Sequence, residues 1–511
     1  MLNAEAESVN MEGGSQSIHS RSLRNLLARG GSTLGVAVAI ERGCGFLANL
    51  FAARAAGPQT FGAYSVVLAT AGTIANYAGA GIGSTANRFS GEYPIASQGY
   101  RGFLRTIMLV SLGSALLGAG LMLAGAGPFA RVLLRNDALV NVLRIAALSA
   151  GALILLECCR GLLIGQHKFQ ALILLSLVSG VGMLLILPAA AHVGAGAMIG
   201  GHASVALVAV AVCAMFSRRL GIVPAIHKAE EGRGPGVSSI LKFGLVQFGA
   251  VVGINIASWW LASLVARSDT SLVQMGMYAV ANQFRGLASI MPGLLSQISY
   301  PLLTAESWRD YGGPERVLLV NTFLATALVM VFACGATIVL PWILLLLYGA
   351  SYTSAETPAV IALGTATIHM SSVPAAYRLS IVNLRATGAI NMAWAVVVVS
   401  FGILFVPAAG ATGAAAAFLI AHLFTQCAVL IALRQSHSLP KGILQLSVVS
   451  IFGTLLFVLG AYFRAVGPTH RSVITGALMG LLLLLIFVLL RFGQKQEWLP
   501  KICRRALRGG S

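Results

Sequence analysis

Fourteen separate stretches of this chain are apolar over roughly 20 residues, the length that crosses the hydrocarbon core of a bilayer. They lie at about 33–55, 62–84, 104–125, 142–165, 169–191, 195–216, 240–265, 276–300, 317–347, 357–378, 388–409, 411–434, 443–463 and 471–492. Of the 511 residues 57% are hydrophobic and 10% are charged, where a soluble protein would carry about a quarter. Such a chain cannot cover itself with a polar surface. It is expected to be an all-α integral membrane protein of about fourteen transmembrane helices.

The formal charge is +19, from 34 Lys and Arg against 15 Asp and Glu. A basic balance can signal nucleic acid, but that requires a basic patch on a soluble fold. Here the charges fall in short loops between apolar runs, so no nucleic-acid partner is expected and the basic residues report topology. With the N-terminus inside, inward segments and span edges hold 24 of the 34, outward segments seven, and Arg42, Arg160 and Arg285 lie within spans. That asymmetry places both termini in the cytoplasm. Residues 1–32 lack a short apolar region with a small-residue cleavage site, so they read as a disordered, basic cytoplasmic leader rather than a cleaved signal.

The chain repeats itself. Pro188-Ala189-Ala190 with Gly194 recurs as Pro407-Ala408-Ala409 with Gly413, an offset of 219. Gly62-Ala63-Tyr64 recurs as Gly276-Met277-Tyr278, an offset of 214. An even number of spans separates the copies, so the two halves run in the same orientation, and such repeats put a substrate path at their interface. The expected organisation is an N-lobe over 33–216, a cytoplasmic linker over 217–239 and a C-lobe over 240–434. Two further spans follow over 443–492, with a basic cytoplasmic tail over 493–511.

Enzyme signatures are missing. No lysine follows a glycine, which excludes the phosphate-binding G-x-x-x-x-G-K-[ST] loop, and there is no H-E-x-x-H zinc motif. The three aspartates, Asp137, Asp269 and Asp310, are unpaired and sit in expected loops, so neither a metal nor another cofactor is expected. Six of the seven cysteines fall within apolar runs and none shows C-x-x-C spacing, so they read as small buried groups.

What remains is a set of ionisable and polar groups inside spans, where a charge costs about 2.5–3.5 kcal/mol on the insertion scale and so marks function. Glu41 and Arg42 lie about 12 Å into the first span, and Arg42 shares a helical face with Asn49. In the eighth span Asn282, Arg285, Ser289, Gly293 and Ser296 recur at steps of three or four and form one polar stripe. Glu157 and Arg160 share a face of the fourth span, and Gln247, Asn255 and Ser258 form a weaker stripe in the seventh. Glu157 with Arg160 can equally be a structural pair. His192, His202, His369 and His422 read as packing or interfacial groups.

The stretch Gly45 to Glu92 holds two Gly/Ala-rich segments around a polar turn, Ala56-Gly57-Pro58-Gln59-Thr60, followed by Phe61-Gly62-Ala63-Tyr64-Ser65. With Ala53-Arg54 ahead of the turn, this resembles the opening hairpin of the polysaccharide-exporter flippases, in the multidrug/oligosaccharidyl-lipid/polysaccharide (MOP) superfamily. The family's A-R-x-L-G-P-x-x-F-G-x-Y-S run is departed from mainly at Ala55 and Ala56. Leu347-Tyr348-Gly349 extends the resemblance toward the tenth span. It implies an inner-membrane flippase that moves an undecaprenyl-pyrophosphate-linked oligosaccharide across the bilayer by alternating access, among membrane lipids and alongside polysaccharide polymerase and glycosyltransferases. In that family cationic residues of the first and eighth spans line a central cavity, which implies substrate roles for Arg42 and Arg285, and more loosely for Arg88. Asn49, Asn282 and Asn255 join them as candidate polar contacts. A cation-coupled drug antiporter of the same superfamily is the alternative. It needs a membrane-embedded acid, for which Glu41 and Glu157 are the candidates. A glycan polymerase or ligase would need a large outer loop, and the longest one expected here is about 126–141.

Overall fold

The computed structural model describes residues 2–93, 97–215, 237–304, 313–440, 442–466 and 471–495. Among them the chain is helical throughout and has no strand. The helices are α1 (Leu2–Gly79), α2 (Ile82–Glu92), α3 (Gln98–Pro128), α4 (Leu139–Gly165), α5 (Phe169–Ala191), α6 (Ala195–Met215) and α7 (Val237–Ser268). There follow α8 (Val273–Thr304), α9 (Gly313–Ile343), α10 (Glu356–Val382), α11 (Leu384–Gln435), α12 (Ile443–Val466) and α13 (Arg471–Lys495). In lipid every backbone N–H and C=O must bond within its own segment, and the helix is the single-segment way to do so.

α1 and α11 are each two helices joined at one residue. The breaks are Gly57 (φ 72°, ψ 169°) and Gly410 (φ 52°, ψ −124°), conformations that glycine adopts without a Cβ penalty. The polar turn expected over 56–60 is thus a single-residue break, with Pro58 preset for the first turn of the next helix. With both breaks counted, and α2 continuing the second arm of α1 past Ala80-Gly81, the described residues hold fourteen α-helical segments. Nine of the described segments are long and apolar enough to cross a membrane by length and composition, and two of these, 35–79 and 384–435, contain both arms of a kinked pair.

Several expectations are corrected. Residues 2–32, expected as a disordered leader, are helical and continuous with α1. The expected 126–141 loop is mostly helix: α3 and a π-turn over Phe129–Leu133 run on to Leu134. The 218–238 loop lies almost wholly, and the C-terminal tail largely, outside the described residues.

Contacts fix the direction of each arm. Arg54, at the end of the first arm of α1, donates from Nη1 to the carbonyl oxygens of Leu346 and Leu347. The second arm starts against Leu272 and Gly276, and its continuation α2 brings Gly91 against Gly165. Arg160, just over one turn before Gly165, bonds Glu41, sixteen residues ahead of the Gly57 break. The two arms of α1 therefore run in opposite directions between a Gly57 end and a Gly165 end of the bundle.

α1 to α6 form one lobe and α7 to α11 another, with α12 and α13 packed on α9 and α10. The Pro-Ala-Ala copies occupy equivalent places, each in the last turns of a helix before a reversal, at Gly194 and at Gly410. The glycine copies do more. A Cβ on Gly62 would lie 2.1 Å from the Leu272 carbonyl oxygen, and one on Gly276 would lie 2.2 Å from that of Pro58. The two repeats therefore cross backbone to backbone at those residues, which is why both positions hold glycine. Tyr352 Oη donates to the Ala53 carbonyl at 3.0 Å, and Asn136 Nδ2 to that of Thr270 at 3.2 Å, closing the same end.

The apolar core follows this asymmetry. One continuous cluster joins both lobes at the Gly57 end, from Ala52 and Tyr64 to Val280 and Tyr348. Toward the Gly165 end it splits. Ile107, Leu163 and Leu175 belong to a separate N-lobe cluster, while Leu379 and Leu433 belong to a small C-lobe one. Outward the surface is apolar, with Leu116, Leu185 and Leu404 about two-thirds exposed. Exposed apolar area on this scale belongs against lipid.

Candidate functional site

Where the core splits, a cavity of about 740 Å³ opens between the lobes. Its walls come from α1, α4, α5 and α6 on one side and α8 and α10 on the other. The first arm of α1 and the middle of α8 face each other across it. They meet edge to face at Phe46 and Phe284, ring centroids 6.2 Å apart.

The polar stripe read on α8 lies on this wall: Asn282, Arg285, Ser289 and Gly293 all line the cavity. Ser296 is buried beyond it, with no hydrogen-bond partner for its hydroxyl among the described residues. Arg285 Nε donates to Asn282 Oδ1 at 3.0 Å, and Asn282 Nδ2 donates to the Tyr278 carbonyl at 3.0 Å. The Arg285 guanidinium lies 4.9 Å from the centroid of the Phe418 ring, within cation–π range. No carboxylate pairs with it among the described residues. Across the cavity, Arg42 is exposed and likewise has no ion-pair partner among the described residues, while Asn49 lines the wall with its amide donating to the Gly45 carbonyl.

Glu41 also faces the cavity but is engaged. Arg160 Nη2 donates to Glu41 Oε1, and Arg160 Nη1 donates to Glu157 Oε1 at 2.6 Å. One guanidinium thus gathers two carboxylates, tying α4 to α1. The shared face of Glu157 and Arg160 is as the spacing indicates, whereas the bond from Arg160 to Glu41 joins residues 119 apart in sequence.

Three of the candidates lie elsewhere. Arg88 pairs with Glu92 at 2.9 Å, with its guanidinium 4.5 Å from the Phe243 ring centroid, at the Gly165 end. Asn255, on α7, is half-buried outside the cavity wall. Glu157 faces away from it with a side chain 53% exposed. A helix stripe read from sequence fixes which residues share a face but not which neighbour that face meets, and α7 and α2 turn theirs elsewhere.

The cavity also holds residues read as packing groups, His202 and His369, together with Arg160. Gln283 joins them and accepts a hydrogen bond from Tyr348 Oη at 2.9 Å. Neutral polar groups on mostly small-residue helices leave no periodic trace. At the opposite end Arg464, 3% exposed, donates to Glu356 at 2.9 Å and to the carbonyls of Thr337 and Ile338 at 2.7 and 3.2 Å, fastening α12 to α9 and α10. Among the described residues no group of three or more His, Cys, Asp or Glu is arranged to hold a metal ion.

The family model described as "Polysaccharide biosynthesis protein" matches residues 27–305, which include Arg42 and Arg285. No curated protein matches the chain in sequence. Among solved structures the chain is similar to the lipid II flippase MurJ in an inward closed conformation. The TM-score is 0.64 at 14% identity, covering 91% of this chain and 99% of that one. A multidrug resistance MATE family transporter of the MOP superfamily in an inward-facing conformation gives a TM-score of 0.58 at 17% identity, covering 80% and 98%. A MOP superfamily transporter from Pyrococcus furiosus gives 0.58 at 13% identity, covering 82% and 96%.

Proposed function

The chain belongs to the polysaccharide biosynthesis protein family, and from that premise we propose that it is a flippase for an anionic, lipid-linked oligosaccharide. The observation that carries the reading is a pair of guanidiniums, Arg42 and Arg285, contributed by different lobes to one cavity and lacking carboxylate partners among the described residues. Arginine stays charged and grips phosphate oxygens in a bidentate fork. A pyrophosphate bridging the two lobes would complete both charges at once. The substrate is an undecaprenyl-pyrophosphate oligosaccharide: the first sugars and the pyrophosphate occupy the cavity, and the apolar prenyl chain stays in lipid. Alternating closure of the two ends carries the headgroup from the cytoplasmic to the outer leaflet of the bacterial inner membrane, with both termini cytoplasmic. Polysaccharide polymerase and glycosyltransferases act before and after this step.

The cation-coupled drug antiporter is disfavoured by the state of its acids, since Glu41 is bonded to Arg160 and Glu157 lies off the cavity. The deciding experiment deletes the gene and extracts the membrane lipids. Accumulation of one pyrophosphate-linked oligosaccharide on the cytoplasmic leaflet, reversed by the wild-type gene, is expected. An unchanged lipid profile with altered drug sensitivity would transfer the chain to the antiporter class.

A further inference from the structure

His369 on α10 and His422 on the second arm of α11 stack face to face, with ring centroids 4.7 Å apart and planes at 29°. His422 also stacks on Phe418 at 5.6 Å, and Phe418 in turn underlies the Arg285 guanidinium. His369 lines the cavity beside Arg285, whereas His422 is buried behind it. His422 Nδ1 lies 2.8 Å from the Phe418 carbonyl, which can only accept, and 3.4 Å from Trp394 Nε1, which can only donate; the shorter contact favours a proton on Nδ1. The indole of Trp394 then meets the same ring edge-on, centroids 5.4 Å apart at 82°. His369 has no ring hydrogen bond to any described residue.

We propose that the stacked pair is a proton site coupled to the Arg285 headgroup site, so that an anionic headgroup enters the cavity together with one proton. This rests on the flippase reading above.

The argument is electrostatic. α8 presents Arg285 and Tyr278 to this corner, α11 presents His422, and no carboxylate stands among them. Across the cavity are Arg42, His202 and Glu41, the last already bonded to Arg160. On α10 itself Glu356 and Arg378 lie thirteen and nine residues from His369, about 20 and 14 Å along the helix, and Glu356 is taken by Arg464 of α12. α9 offers Cys334, in contact with the Leu478 carbonyl, and its terminal Glu315 and Arg316. The 350–355 turn offers Tyr352, which donates to Ala53.

The charged group nearest the imidazoles is therefore a fixed cation, Arg285. A doubly ionised pyrophosphate on Arg285 reverses the sign of that field. Two imidazoles this close share a single proton, because a second would place like charges in contact. Linkage then requires that the proton tighten anion binding by the same factor as the anion tightens proton binding.

Titration calorimetry on the full chain in nanodiscs tests this with a farnesyl-diphosphoryl sugar, a pyrophosphate diester whose own charge is constant near neutrality. Repeating the titration in buffers of different ionisation enthalpy counts protons taken up on binding. About one proton per headgroup is expected, with affinity falling up to about tenfold per pH unit as pH rises through the point at which the ligand-bound pair gives up its proton. His369→Gln should abolish uptake and flatten the pH profile while still binding the sugar through Arg285. Wild-type binding without proton uptake, or undiminished uptake in His369→Gln, overturns the proton site and leaves the flippase reading standing. No binding of the probe at any pH overturns both.

Discussion

Arg285 and Arg160 are both arginines inside spans, yet their surroundings are opposite. Arg285 is held by Asn282 and the Phe418 ring with no acid among the described residues, so Arg285→Ala strands no opposing charge. The variant should reach wild-type membrane abundance while transport falls about ten- to hundredfold, the factor for losing about 1.5–3 kcal/mol of charged hydrogen bonding. Arg285→Lys should restore part of it, since an ammonium lacks the fork. Abundance read by immunoblot beside complementation of a flippase-null strain checks this, and full complementation by the alanine variant would remove Arg285 from the substrate site. Arg160 gathers Glu41 and Glu157, so Arg160→Gln should instead lower abundance, and adding Glu41→Gln should recover part of the loss. Unchanged abundance in the single variant would show that the pair does not fasten α4 to α1. Arg42 and Arg285 were legible in the sequence because a charge inside an apolar run is conspicuous. The Arg160–Glu41 bond was not, because it depends on the relative rotation and depth of two helices 119 residues apart.

For the elements, most apolar stretches lie within a helix, and α5 matches its stretch over its whole extent, whereas α1 already begins at Leu2. Most helices run past their apolar stretch, as α2 does to Glu92, because polar residues at a span's edge stay helical in the headgroup region. The crossing of the repeats was readable as a recurrence of Gly62 and Gly276, but not as a contact between them. Their Cβ positions are filled by carbonyl oxygens, so Gly62→Ala or Gly276→Ala should cost about 1–3 kcal/mol by overpacking. Gly72→Ala, with nothing within 4 Å of its Cβ position, should be neutral. Thermal unfolding in detergent compares them, and equal midpoints for all three would refute a tight crossing. Ahead of α8, Asp269 accepts from the backbone N–H of Ser271 and Gln274 and from the Ser271 hydroxyl. Burial alone would raise its carboxyl, but these hydrogen bonds outweigh burial and hold it below the usual carboxylate range. A lowered folded-state pKa means a stabilising contribution that is complete above the ordinary value of about 4 and lost as pH falls through the lowered one. Asp269→Asn should lower the unfolding midpoint at neutral pH and narrow its gap to wild type in acid; a gap constant with pH would exclude the ionised cap.

At the scale of the molecule, basic residues mark one end: Arg105, Lys168, Lys242 and Arg385 sit near the Gly165 end, on the side where the cavity opens. By the positive-inside rule this end is expected to face the cytoplasm. In a cysteine-free background, a cysteine at position 135 should react with an impermeant thiol reagent from outside, and one at 242 only after permeabilisation. The reverse pattern would invert the protein in the membrane. The closed end has a further property. Its inter-lobe hydrogen bonds from Arg54, Tyr352 and Asn136 all terminate on main-chain carbonyls, and no ion pair crosses there among the described residues. A seal of that kind can be replaced bond for bond by water when the lobes part, leaving no acid stripped of its base. Added salt has no pair to screen, so ionic strength should leave the outward-open fraction unchanged in spin-label distance distributions across that end. The latch thus rests on one guanidinium and two neutral donors, each set on a main-chain carbonyl, and it parts without breaking an ion pair.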